Sequence, residues 1–138
     1  MSSSERRVIE TNTTQWQQVI VAQATTANAT PLVVYEAQGT IPENRMLYFD
    51  VQCIVGLPNK SRVSTINATA GIARAVGGNI RLVASPNYTV LQGEMKSNEV
   101  SIAVVANAGT QKWQIVVTDK TALGLQWVVT LRVTRNTT

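Results

Sequence analysis

The stretch QKWQIVVTD (111–119), KTALG (120–124) and LQWVVTLRVT (125–134) decides the fold. Both long halves alternate with period two. Trp113, Ile115 and Val117 fall on one face of the first; Leu125, Trp127, Val129, Leu131 and Val133 fall on one face of the second. Strict alternation over this length is the signature of a half-buried strand. The spacing predicts an antiparallel hairpin at the heart of a β-sandwich, each strand anchored by one tryptophan.

Working outward, the same pattern recurs. WQQVIVA (16–22) and LVVYE (32–36) read as strands separated by the turn-rich ATTANATP. Gly39 and Pro42 mark a loop. A long strand follows from Arg45 to Val55, with Leu47, Phe49, Val51, Cys53 and Val55 on one face and Tyr48, Asp50 and Gln52 on the other. VSTINATAGIARAV (63–76) is rich in Ala, yet Ile66, Ala68, Ala70 and Ile72 repeat with period two. Val, Ile and Thr are β-formers, and Gly71 costs a helix about 1 kcal/mol relative to Ala. This segment therefore reads as a strand, turned by Gly77-Gly78 into Ile80–Ala84. Tyr88–Gln92 and Val100–Ala106 complete about eight or nine strands, with turn signals at the spacing of a sandwich or jelly roll.

Composition narrows the functions. The chain has 138 residues, 44% hydrophobic and only 14% charged, which suits one domain with a real core. Net charge is +4, but the bases Arg45, Arg62, Arg74, Arg81, Lys96, Lys112 and Arg132 are scattered. No basic patch with interleaved aromatics is present, so a nucleic-acid surface is not expected. Histidine is absent and Cys53 is the single cysteine. Ser-His and Cys-His pairs, an internal disulfide and the usual zinc sites are thereby excluded. No cofactor is expected. MSSSERRVIE has no apolar signal core and no apolar run reaches membrane-spanning length, so a protein made in the cytoplasm, without a membrane partner, is expected.

Motifs with chemistry are few. Asn-x-Ser/Thr triplets occur at Asn12, Asn28, Asn59, Asn67, Asn87 and Asn136, in a chain so rich in Asn and Thr that chance accounts for them. Asp50 with Glu94 or Glu99 are the carboxylates that would have to converge for sugar hydrolysis, and nothing in their spacing brings them together. Trp113 and Trp127 share parity with the apolar faces and are expected in the core. No phosphate-binding glycine motif occurs, and no enzyme activity is expected.

The segment 1–14 is different: polar, mixed in charge, with Arg6-Arg7-Val8-Ile9 at its centre. It reads as an extended N-terminal arm preceding a β-sandwich domain over 15–138. Val and Ile amid polar residues suit strand addition to, or strapping across, a neighbour. Trp16, at the junction, is a candidate interface anchor.

Several runs together resemble a known family. These are Leu47-Tyr48-Phe49-Asp50-Val51-Gln52, Gly78-Asn79-Ile80-Arg81-Leu82-Val83-Ala84-Ser85, Trp113-Gln114-Ile115-Val116-Val117-Thr118 and Leu125-Gln126-Trp127-Val128-Val129. From Arg45 to Arg135 the chain looks like a small β-sandwich module of tailed-phage virion proteins. That module occurs as the terminal domain of tail fibres and as a stand-alone capsid decoration (cement) or head-fibre protein, commonly trimeric. The sequence departs from the family pattern at Asp119, where Gly is frequent. The resemblance implies an all-β, antiparallel, jelly-roll-like sandwich without catalytic residues. It also implies a capsid decoration protein on the virion surface, a homotrimer contacting the major capsid protein and made in the host cytoplasm; the arm residues Arg6, Arg7, Val8, Ile9 and Trp16, which precede the resembling region, are then the expected contacts. The alternative is a fibre module that binds a host glycan through the loops Gly39–Asn44 and Gly93–Asn98.

Overall fold

The computed structural model describes residues 5–14, 17–83 and 87–136, and of 5–14 the backbone course. The described chain is all-β. Its strands are β1 (Glu5–Thr14), β2 (Gln17–Thr25), β3 (Leu32–Glu36), β4 (Arg45–Gly56), β5 (Val63–Arg74), β6 (Arg81–Leu82), β7 (Tyr88–Gly93), β8 (Val100–Asn107), β9 (Lys112–Asp119) and β10 (Gln126–Arg135). The larger sheet runs β1-β2-β10-β4-β5, with β6 and β7 sharing the far edge of β5; the smaller runs β3-β9-β8. Every pairing is antiparallel. The two sheets pack face to face, as a β-sandwich.

The alternation read from the sequence is the alternation of burial. Along β4, Leu47, Phe49, Val51, Cys53 and Val55 are buried while Met46, Tyr48, Gln52 and Ile54 are exposed. β5 is a strand along its whole length, and its Ile66, Ala68, Ala70 and Ile72 enter the core. Helix propensity loses here because each alternate residue of β5 gains a buried place between β4 and β7.

Trp113 stitches the sheets together. Its ring meets Phe49 of the opposite sheet edge-on, centroids 4.9 Å apart, and Tyr35 of its own sheet at 5.2 Å. Such tilted aromatic pairs add about 0.5–1.5 kcal/mol beyond area burial. A register shift in β3 between Val33 and Tyr35 lets the adjacent residues Val34 and Tyr35 both be buried.

The expected hairpin of residues 111–134 is corrected. β9 lies in the smaller sheet and β10 in the larger, so the two strands are not hydrogen-bonded to each other. Instead they face each other across the core, and residues 120–125 form an arch between the sheets. Period-two patterning identifies a strand and its buried face, but an arch and a hairpin produce the same pattern. The two tryptophans do lie in the core, 4% and 1% exposed.

Asp119 builds the arch. It is the one charged side chain fully buried among the described residues. Its Oδ1 accepts hydrogen bonds from the Thr121 hydroxyl, the Thr121 amide at 2.9 Å and the Ala122 amide at 3.0 Å. Its Oδ2 accepts from the Gly124 amide at 3.1 Å and the Thr26 hydroxyl at 3.2 Å. Thr26 Oγ1 in turn accepts from the Trp127 indole N–H at 3.0 Å and the Leu125 amide at 3.3 Å. Wrapping one carboxylate this tightly puts Ala122 (φ 58°) and Gly124 (φ 82°) in the left-handed region.

Removing the carboxylate leaves several buried donors unpaired, each costing about 1–3 kcal/mol. Asp119→Ala is therefore expected to lower urea-denaturation stability by at least ~3 kcal/mol, and Asp119→Asn by less. Lys120→Ala, next door and exposed, should stay within ~0.5 kcal/mol of the parent.

Candidate functional site

The predicted contact residues lie on the outermost strand. Arg6, Arg7, Val8 and Ile9 belong to β1, where they pair with Ala24, Gln23, Ala22 and Val21 of β2. Residues 5–14 thus continue the larger sheet as its edge strand. Trp16 lies outside the described residues. Because β1 ends the strand order, the backbone row on its far side meets no other described strand. Such a row of N–H and C=O groups is a template for strand addition.

The two loops proposed for glycan binding do not meet. Gly39–Asn44 leads into Arg45, which pairs with Arg74 at one end of the sandwich. Gly93 pairs with Ser64 at the other end, near Gly56 and Val63. The twelve-residue β4 separates them, about 36 Å at the usual rise per residue. Each loop is also tied down by its neighbours. At the first end, the Gly77 amide donates to Glu43 at 2.6 Å, and the guanidinium of Arg74 donates to the carbonyls of Gly78 and Ile41. The Gln111 side chain accepts from the Ile80 amide at 2.8 Å and donates to Asn79 at 2.8 Å. Gly93 (φ 119°) passes so close to β5 that a Cβ would stand 2.7 Å from the Val63 carbonyl.

The carboxylates are dispersed as well. Glu99 forms a two-pronged ion pair with Arg62, at 2.6 and 3.0 Å, and its Oε1 accepts from the Lys96 amide at 2.9 Å. The Arg62 hydrogen bond, then the backbone amide, holds its carboxyl below the ordinary range. Glu94 accepts from the Val63 amide at 3.1 Å. Asp50 pairs in register with Thr69, six residues along β5 from Val63, about 20 Å away by strand rise. That exceeds the ~5–9.5 Å between glycosidase carboxylates. Among the described residues no three His, Cys, Asp or Glu side chains gather as metal ligands would.

Sequence patterning passes over one surface. Of the eight large hydrophobic side chains exposed among the described residues, six (Met46, Tyr48, Ile54, Val83, Tyr88 and Val90) belong to outward positions of the larger sheet. The signal was present in Arg45–Gly56, where both parities carry apolar residues, but only the buried face explained itself.

No family model matches this chain, and no curated protein or solved structure shows significant similarity to it.

Cys53 is buried, and desolvation pushes its thiol up to about 12. The thiol should resist iodoacetamide in the folded protein and react once urea unfolds it. An unfolded thiol titrates near ~8.5, so the folded state keeps a proton that the unfolded state loses above that pH. Stability from this group is complete below pH ~8.5 and declines by up to ~1.4 kcal/mol per unit toward pH 12. Cys53→Ala should remove that part of the alkaline slope in urea titrations compared with the parent.

Proposed function

We propose that this chain is a capsid decoration protein of a tailed phage. It binds the outer shell as a trimer and straps neighbouring major capsid subunits through its N-terminal segment. The observation that carries this reading is the place of β1: a ten-residue strand at the end of the larger sheet, joined along its length to β2. Backbone hydrogen bonds on its outer side can continue a neighbour's sheet irrespective of side chains, and Arg6, Arg7, Val8 and Ile9 add selectivity. Trp16 would anchor the junction.

The rest of the molecule suits a mechanical role. The large core, the sealed arch and the latched end loops make a rigid body that needs no reacting group to work. The resemblance over Arg45–Arg135 to phage virion modules points to the same setting.

The test uses capsids lacking the decoration and measures co-sedimentation. The full chain should bind to saturation. A chain lacking residues 1–14 should remain β-rich by circular dichroism yet lose at least tenfold in affinity, about 1.4 kcal/mol. Arg6→Ala with Arg7→Ala should weaken binding and reduce its dependence on salt. Full occupancy by the truncated chain overturns the strap. Micromolar sugar binding on a glycan array, with no capsid binding, overturns the decoration reading in favour of a fibre module.

A further inference from the structure

We propose that the outer face of the larger sheet is the surface through which copies of this chain associate, three such faces converging on one axis. The proposal rests on the self-association in the reading above and names the surface responsible.

Three observations place a second copy there. The first is apolar concentration. Tyr48 is 53% exposed, Met46 63%, Ile54 47% and Tyr88 72%, all on this face. The remaining two exposed large hydrophobics, Val76 and Leu123, sit in loops. Tyr and Met enrichment with few charges is the composition of a protein–protein contact. A host glycan or nucleic acid would instead call for clustered polar or basic groups.

The second observation is charge. On the outward positions of β2, β10, β4 and β5 the charged residues are Asp50 and Arg132. They are cross-strand neighbours in the register of β10 with β4. No ion pair joins the two. These four strands therefore carry one acid and one base side by side at their centre, both unengaged; the next outward charge among the described residues, Arg81, lies on β6 beyond β5. Brought around an axis, three such pairs make a ring of alternating sign, in which each Asp50 can reach the Arg132 of the next copy. A face carrying a single charge could not meet its own copy in this way.

The third observation is size. Sheets pack about 10 Å apart, placing each face about 5 Å from the axis; a triangular prism of that size has sides of about 17 Å, and four strands at about 4.8 Å span about 19 Å. The four strands β2-β10-β4-β5 are that wide, and the boundary between β10 and β4, where the two charges lie, is their midline. From Met46 to Ile54 the face is about 26 Å long, a projected area of about 500 Å² before side-chain relief. That is the order of the ~800 Å² per partner of a standard stable interface.

The experiment is light scattering on the isolated full-length chain and its variants at ~50 μM. The parent should show three times the 15.0 kDa chain mass. Asp50→Arg puts six positive groups on the axis and Arg132→Asp six negative, so each should run at the mass of one chain. The two swaps together restore alternation and should restore the trimer. Ile54→Glu should dissociate it. Leu123→Glu, at a site equally exposed but off this face, should not. Matching circular dichroism of all variants keeps misfolding apart from dissociation. A monomeric parent overturns the proposal, as does any oligomer that Ile54→Glu and the single swaps leave intact. A dimer that these substitutions break overturns the three-fold arrangement. Failure to bind capsids by an intact trimer counts against the decoration reading alone.

Discussion

One buried carboxylate sets the course of this chain. Asp119 stands where the chain leaves the smaller sheet, and its five hydrogen bonds determine how residues 120–125 cross to the larger one. A charge buried without partners would cost several kcal/mol. The crossing segment therefore has to offer its amides inward, and Thr26 has to stand within reach. Thr26 follows the last residue of β2 and also receives the indole N–H of Trp127. The same network thus fastens the exits of β2 and β9 to the start of β10. Strand β10 then lies between β2 and β4, at the centre of the larger sheet.

Around that centre the molecule divides its labour. The interior is inert: aliphatic side chains, three aromatic rings in contact and a thiol held in its neutral form. The ends are closed by side-chain-to-backbone bonds from Arg62, Arg74, Glu43, Glu94 and Gln111. Among the described residues, what the chain leaves open includes the outer backbone of β1 and an apolar surface on one face. Both are features by which proteins join other proteins, and neither depends on a reactive group. A chain with no histidine and few charges has these means of recognition at its disposal.

Legibility was uneven for physical reasons. Strand positions and buried parity were readable at β4, β5, β9 and β10, because alternation of Leu, Ile, Val and Trp with polar residues is a local property of the pleat. The arch was not readable, since two adjacent strands of matching parity can pair or oppose. Asp119 looked like a departure in a turn, and its role depends on Thr26, far away in sequence. The candidate contacts Arg6 to Ile9 were legible as an extended segment, but their pairing with β2 was not. The outer apolar face stayed hidden because Tyr48 and Ile54 acquire meaning beside Val83, Tyr88 and Val90, which β5 gathers from later in the chain.

By itself, then, the sequence determined an all-β chain, the side of β4, β5, β9 and β10 that would be buried, the placement of both tryptophans in the core and the absence of a histidine-based site. These follow from residue types and from a period of two. The tertiary structure decided which strands are neighbours, that residues 120–125 bridge two sheets, that the two candidate glycan loops lie at opposite ends, and that scattered apolar residues share one face. Those outcomes depend on long-range backbone pairing and on a buried charge seeking donors, neither of which leaves a local period to read.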